Sequence, residues 1–199
     1  PKQSADTSHF KGICGALIAY KLIEALCEKS GEEEKKKSLQ KELLPFAALA
    51  TVCDVMELRD ENRIIVKYGM QQMKETENPG LLALLQVNDL MDKELSPYHA
   101  GFILGPCLNA TGRLDSADRA LRLFEETDFK KAVTEAYDLK SLNDSRKQMT
   151  EDGVSEAVRM LEAEGREQDP VLVVYLPDCH ESLAGIIAGR VREAYNKPS

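Results

Sequence analysis

A lone carboxylate closes a nearly uncharged stretch, Ala48-Leu49-Ala50-Thr51-Val52-Cys53-Asp54-Val55-Met56. Burying a carboxylate is costly unless it is paired, protonated or bound to a cation. An ion pair with Arg59 or Arg63 at a capped helix end would satisfy Asp54. So would a hard divalent metal, which takes oxygen donors. A second stretch, Gly105-Pro106-Cys107-Leu108-Asn109-Ala110-Thr111-Gly112-Arg113, sets an amide and a guanidinium among glycine and proline. Read as a loop after a helix ending near Leu104, it can present N–H groups, Asn109 and Arg113 to a phosphate. Arginine suits that task because its planar fork binds phosphate bidentately. The plainer alternative is a connecting loop with Arg113 salt-bridged at the surface. A third stretch, Asp178 to Arg190, follows a β-branched run and opens a helix, an arrangement that favours anions. There His180 suits donation to a phosphate, proton relay or metal binding, or simply a satisfied loop histidine. His180 and Ser182 are no hydrolase pair, because the chain has no G-x-S-x-G elbow. Gly12-Ile13-Cys14-Gly15 follows no clear strand, so it is neither a P-loop nor a dinucleotide fingerprint. His9 and His99 lack partner spacing, and Tyr20 and Phe102 read as packing residues rather than base-stacking ones.

These residues need elements to hold them. Leu17, Ile18, Leu22, Ile23 and Leu26 repeat with a helical period. Leu43 to Met56 reads as a second apolar helix. Leu58 to Gly69 fits either a helix or, around Ile64-Ile65-Val66, a strand. Ser30 to Lys37 reads as a solvated loop or helix start, and Ser96-Pro97 as an N-cap with Pro at N1. Phe129, Val133, Ala136, Leu139, Leu142 and Met149 form an apolar stripe that Val154, Ala157, Val158 and Leu161 resume beyond Gly153. One helix from Asp128 to about Glu164 would be roughly 50 Å long at 1.5 Å per residue, with Gly165 at its C-terminal cap. Val171 to Leu176, between two prolines, reads as a strand, and Ser182 to Tyr195 as a helix. The lone strand predicts an exposed edge that pairs with another copy, giving a dimer or swapped assembly.

Composition narrows the classes. At 43% hydrophobic and 30% charged, the 199 residues suit a globular protein rather than a disordered one. The formal charge of −8 argues against a broad basic nucleic-acid-binding surface but leaves room for a local cationic cleft. No apolar run reaches the roughly 18 residues of a membrane span. Five scattered cysteines without a C-x-x-C pair point to free thiols in a reducing, cytoplasmic setting rather than disulfides or structural zinc. Pro1 is not an initiator Met and no apolar leader follows, which predicts a piece of a longer polypeptide.

Taken in order, five stretches resemble motifs of the RecJ type of the DHH phosphoesterase family: ICGALIAYKL, ALATVCDVMELRDENR, GPCLNATGRLDSADRAL, LNDSRKQMTEDGVSEA and CHESLAGIIAGRV. The resemblance covers nearly the whole chain. It implies an α/β parent protein in which this chain is mostly α. Residues 1–127 would be the C-terminal part of a DHH catalytic domain, 128–165 a connecting helix, and 166–199 the first strand and helix of a DHHA1-type domain. It implies 5′-to-3′ hydrolysis of single-stranded DNA in repair and recombination, with Mn2+ or Mg2+. Asp54 matches a metal ligand, Asn109, Arg113 and Arg190 match residues at the DNA phosphates, and His180 matches a signature histidine with a catalytic role. Cys107 stands where the family usually has Arg, Gly189 where it has Ser, and Cys179 where it has Trp. The family's first-motif aspartates and its Asp-His-His triplet do not occur here, so they are expected before Pro1. One carboxylate cannot hold two ions, so the chain alone is expected to bind metal weakly and lack nuclease activity. The alternatives are another DHH phosphoesterase, acting on short oligonucleotides or cyclic dinucleotides, and a non-catalytic replication or repair scaffold.

Overall fold

The computed structural model describes residues 3–114 and 116–199, except the side chain of Arg113. Nine α-helices carry the described chain: α1 (Gly15–Ser30), α2 (Glu33–Cys53), α3 (Asp60–Met73), α4 (Pro79–Val87), α5 (Pro97–His99), α6 (Gly105–Leu114), α7 (Asp118–Glu125), α8 (Phe129–Ala163) and α9 (Ala184–Tyr195). A five-residue π-helical turn, Ala100–Leu104, joins α5 to α6. The helical option for residues 58–69 is the one adopted.

Helix α8 is unbroken through Gly153. Asp128 caps its start, its Oδ1 accepting from the N–H groups of Lys130 (2.8 Å) and Lys131 (3.2 Å). Gly165, at φ 67°, takes the left-handed cap position just past its end. The helix feeds two cores. Its first half buries Ala132, Ala136 and Leu139 against α4, α6 and α7. Its second half buries Ala157 and Leu161 with Leu172, Leu183, Ile187 and Val191. Gly153 marks where α9 comes closest, since a Cβ there would lie 2.5 Å from Ile187 Cδ1.

Three sequence expectations are corrected. Residues Val171 to Leu176 are extended but form no β-ladder, and no strand occurs among the described residues. The alternation is nonetheless realised: Leu172 is buried in the second core, with Val174 and Leu176 partly buried beside it, while Val171, Val173 and Tyr175 face solvent. β-Propensity yields a sheet only when a neighbouring strand supplies hydrogen bonds.

Next, Gly105 to Arg113 is not a loop. It is α6, continuing from the π turn. Pro106 has no N–H and its ring crowds the carbonyl four residues back, which ordinarily breaks a helix. The π turn widens the spiral just before it, with Gly105 N–H donating to Ala100 O. Helix α2 likewise runs through a proline, the buried Pro45, and begins a full ten residues earlier than its apolar stretch, at Glu33.

Finally, Phe102 does not pack inside. It is 70% exposed and stacks on Tyr98, itself 61% exposed, with ring centroids 5.1 Å apart. Tyr20 is buried as expected.

Candidate phosphate and metal-ligand residues

Asp54 sits at the end of α2, and the chain reverses immediately after it. Met56 N–H donates to Thr51 O (3.1 Å) and Val55 N–H to Val52 O (3.0 Å). This pair of bonds is the Schellman pattern, whose turning residue takes a left-handed conformation. Glycine usually occupies that position, but here Val55 does, at φ 54°. A β-branched residue there is a strained outlier. The loop beyond is pinned from below: the buried Asn62 donates through Nδ2 to Glu57 O (2.9 Å) and Gly12 O (2.7 Å). Neither expected ion pair forms. Arg59 binds Glu57 at 2.6 Å and lies over the Phe10 ring, and Arg63 makes no ion pair. The Asp54 carboxylate is exposed and has no hydrogen-bond or ion-pair partner among the described residues. Its neighbour Cys53 is held as a neutral thiol, pushed up to about 11 mainly by burial and secondarily by the Asp54 charge.

The end of α2 abuts the start of α6. Cys53 Sγ lies 3.8 Å from Ala100 O, and a Cβ on Gly105 would meet Cys53 Sγ at 2.6 Å. The absence of a side chain at Gly105 is what lets these two helices touch. Asn109 follows one turn along α6 and is exposed. Arg113 lies on the same helix, but its side chain falls outside the described residues. Asp54 and Asn109 are thus carried on adjoining elements.

His180 precedes and Arg190 lies on α9, the helix whose Ile187 and Val191 enter the second core. His180 Nδ1 accepts from Ser182 N–H (3.3 Å) and lies 2.8 Å from Ser182 Oγ. Acceptance at Nδ1 places the proton of a neutral ring on Nε2, leaving an outward N–H donor. Arg190 is exposed on α9. Helix α6 meets α8 near Asn143, and α9 meets it near Gly153. Those contact points are about 15 Å apart along the helix axis at 1.5 Å per residue. Asn109 is carried on the helix of the first contact and Arg190 on the helix of the second.

One further cation lies in the LNDSRKQMTEDGVSEA stretch, to which the sequence reading gave no site role. Arg146 donates from Nε (3.2 Å) and Nη2 (3.1 Å) to Asn143 Oδ1, and Asn143 Nδ2 faces Cys107 Sγ at 3.8 Å. Asn143 is 3% exposed, so the guanidinium is tethered to a fixed point beside α6. The i, i+3 spacing within LNDSR was the available signal. Cys107 is buried, and its thiol is pushed up by that burial.

Asp54 alone does not fit a divalent-cation site. Among the described residues no three His, Cys, Asp or Glu side chains gather to hold a metal, whereas such ions take six or more oxygen ligands. No helix among the described residues is long and apolar enough to cross a membrane.

No protein-family model matches the chain. Individual proteins do. It is 33% identical over 199 residues to the single-stranded-DNA-specific exonuclease RecJ of Bacillus subtilis, covering all of this chain and 24% of that protein. It is 32% identical over 198 residues to RecJ of Escherichia coli, covering 94% of this chain and 34% of that protein. The chain therefore spans between a quarter and a third of the curated relatives it matches. Among solved structures, RecJ in complex with Mg2+ from Thermus thermophilus superposes with a TM-score of 0.79 at 26% identity, over 96% of this chain and 29% of that one. A second, exonuclease RecJ bound to manganese, gives 0.80 at 28% identity, over 96% and 47%. In sequence and in fold the chain is RecJ-like from end to end.

Proposed function

We propose that this chain is part of a metal-dependent exonuclease that hydrolyses single-stranded DNA from the 5′ end, in DNA repair and recombination. The observation that carries the reading is the joint match in sequence and fold to RecJ exonucleases over the whole described chain. That match favours an exonuclease over the oligonucleotide phosphoesterase and scaffold alternatives. In this reading Asp54 is one oxygen donor to a divalent cation, and the relatives crystallised with Mg2+ or Mn2+ support that metal class. Asn109, Arg113 and Arg190 hold phosphates. His180 offers its Nε2–H to the same backbone. The solvent-facing Asp54 carboxylate, the exposed Asn109 and the exposed Arg190 are all free to meet a ligand. Alone, the chain lacks the remaining carboxylates and is expected to release no nucleotides. Residues 128–165 serve as the connector between a catalytic part, 1–127, and a second part begun by 166–199.

A segment exchange tests this. The chain replaces the matching stretch of Bacillus subtilis RecJ, and digestion of end-labelled single-stranded DNA is followed with Mn2+. The exchanged protein is expected to digest the strand, and Asp54→Ala to abolish digestion while single-strand binding persists. A folded, DNA-binding exchange protein whose digestion survives Asp54→Ala overturns the assignment.

A further inference from the structure

A groove with a volume of about 750 Å³ runs along α3. One wall carries Arg63, Lys67 and Lys74, and the opposite wall carries Ser96 and Pro97, where α5 begins. Positions 63, 67 and 74 fall on one face of a helix. All three side chains are exposed and none is in an ion pair. In a chain with 34 acidic and 26 basic residues, three exposed cations along one helix face, Lys67 lying over the Tyr68 ring, are a local reversal of charge. Glu75 and Glu94 also line the groove, so its balance is one net positive charge. The residue after Pro97 is Tyr98, whose ring stacks on Phe102, both largely solvent-exposed. Two exposed rings in contact are a costly apolar surface unless something covers them.

A groove carrying cations, with exposed aromatic rings beginning one residue beyond its wall, is the combination by which proteins hold single strands without reading sequence. An acidic peptide would use the cations but gains nothing particular from a flat stacked pair. We propose that the α3 groove and the Tyr98–Phe102 pair form a track for single-stranded nucleic acid, apart from the phosphate-holding residues described above. The cations take the backbone and the rings take bases. This rests on the proposed function and adds a second place where the strand is held.

The test is equilibrium binding of a fluorescein-labelled oligothymidylate to the chain, with EDTA present, over a range of salt. Each phosphate neutralised on a single strand contributes about 0.7 to the slope of log K against log salt. The triple variant Arg63→Ala, Lys67→Ala, Lys74→Ala is expected to lower that slope by roughly 2. Removing Lys130 and Lys131, exposed on α8, is expected to leave it unchanged. The double variant Tyr98→Ala, Phe102→Ala is expected to keep the slope and weaken binding at fixed salt on the order of tenfold. All five positions are exposed, so circular dichroism should show every variant folded. If wild type binds but the triple variant keeps its slope, the track is refuted and the exonuclease reading stands. Polyglutamate competing as well as unlabelled oligothymidylate at equal charge also refutes it, by marking a site for acidic protein. Wild type that binds no single strand at low salt overturns the track and the strand-binding part of the reading together.

Discussion

Replacing Val55 by glycine should stabilise this protein, although it deletes a hydrophobic side chain. Val55 occupies the turning position after α2 at φ 54°. For a residue with a Cβ that conformation costs roughly 1–2 kcal/mol, and glycine escapes the cost. Glycine loses more chain entropy on folding, which offsets about 0.4–1 kcal/mol of the gain. The side chain is 88% exposed, so its removal forfeits almost no burial. The net expectation is a gain of about 0.5–1 kcal/mol, or a rise in Tm of roughly 1–4 °C for a chain of this size. Urea unfolding followed by circular dichroism reads it as a higher midpoint with an unchanged m value. Two companions isolate the cause. Val55→Asn should gain less, since asparagine tolerates the left-handed region, and Val55→Ala least, since alanine keeps the Cβ. If Val55→Gly leaves the midpoint unchanged or lowers it, or if alanine gains as much as glycine, the backbone-strain argument is wrong. Stored strain beside a candidate ligand is a recurrent feature of functional sites.

Other expectations follow from the same contacts. Gly105→Ala would drive a methyl into Cys53 Sγ and should destabilise by about 1–3 kcal/mol in a urea titration; a neutral result would mean that α2 and α6 are not in contact there. Cys53 should resist iodoacetamide near pH 8, because its thiol is pushed up to about 11 and only the thiolate reacts. Its alkylation should accelerate toward pH 11, and Asp54→Asn should shift that profile to lower pH by removing a neighbouring negative charge; mass spectrometry of the labelled peptide checks both. Asp128→Ala removes the α8 cap and should cost about 1 kcal/mol, read as a lower urea midpoint.

The long helix was legible because its apolar stripe kept one phase through Gly153 and ended at Gly165, a residue suited to the left-handed cap. Asp54 stood out as a candidate because it was the one charge in an uncharged run. Its strained turn was not, since Val55 gives no sign of the left-handed conformation it is made to adopt. Gly105-Pro106 misled for a definite reason: proline stops an α-helix, and nothing local announces a π turn that accommodates it. Val171 to Leu176 misled because alternation reports which side faces the core and not whether a neighbour strand exists. Phe102 misled because a helical period identifies an apolar face without saying what covers it. The α3 cations went unread as a set because their alignment depends on α3 being a helix, where the sequence left a strand open.

The π turn sets the azimuth of everything downstream. It holds one residue more than an α turn would use, so α6 leaves it rotated by about 100° from where an uninterrupted spiral would have pointed. Deleting a single residue between Ala100 and Leu104 would let the backbone relax to ordinary winding and leave Asn109 facing water and Cys107 facing the core, as they do now. The π turn thus absorbs one residue of length between α5 and α6 while the facing of α6 is kept.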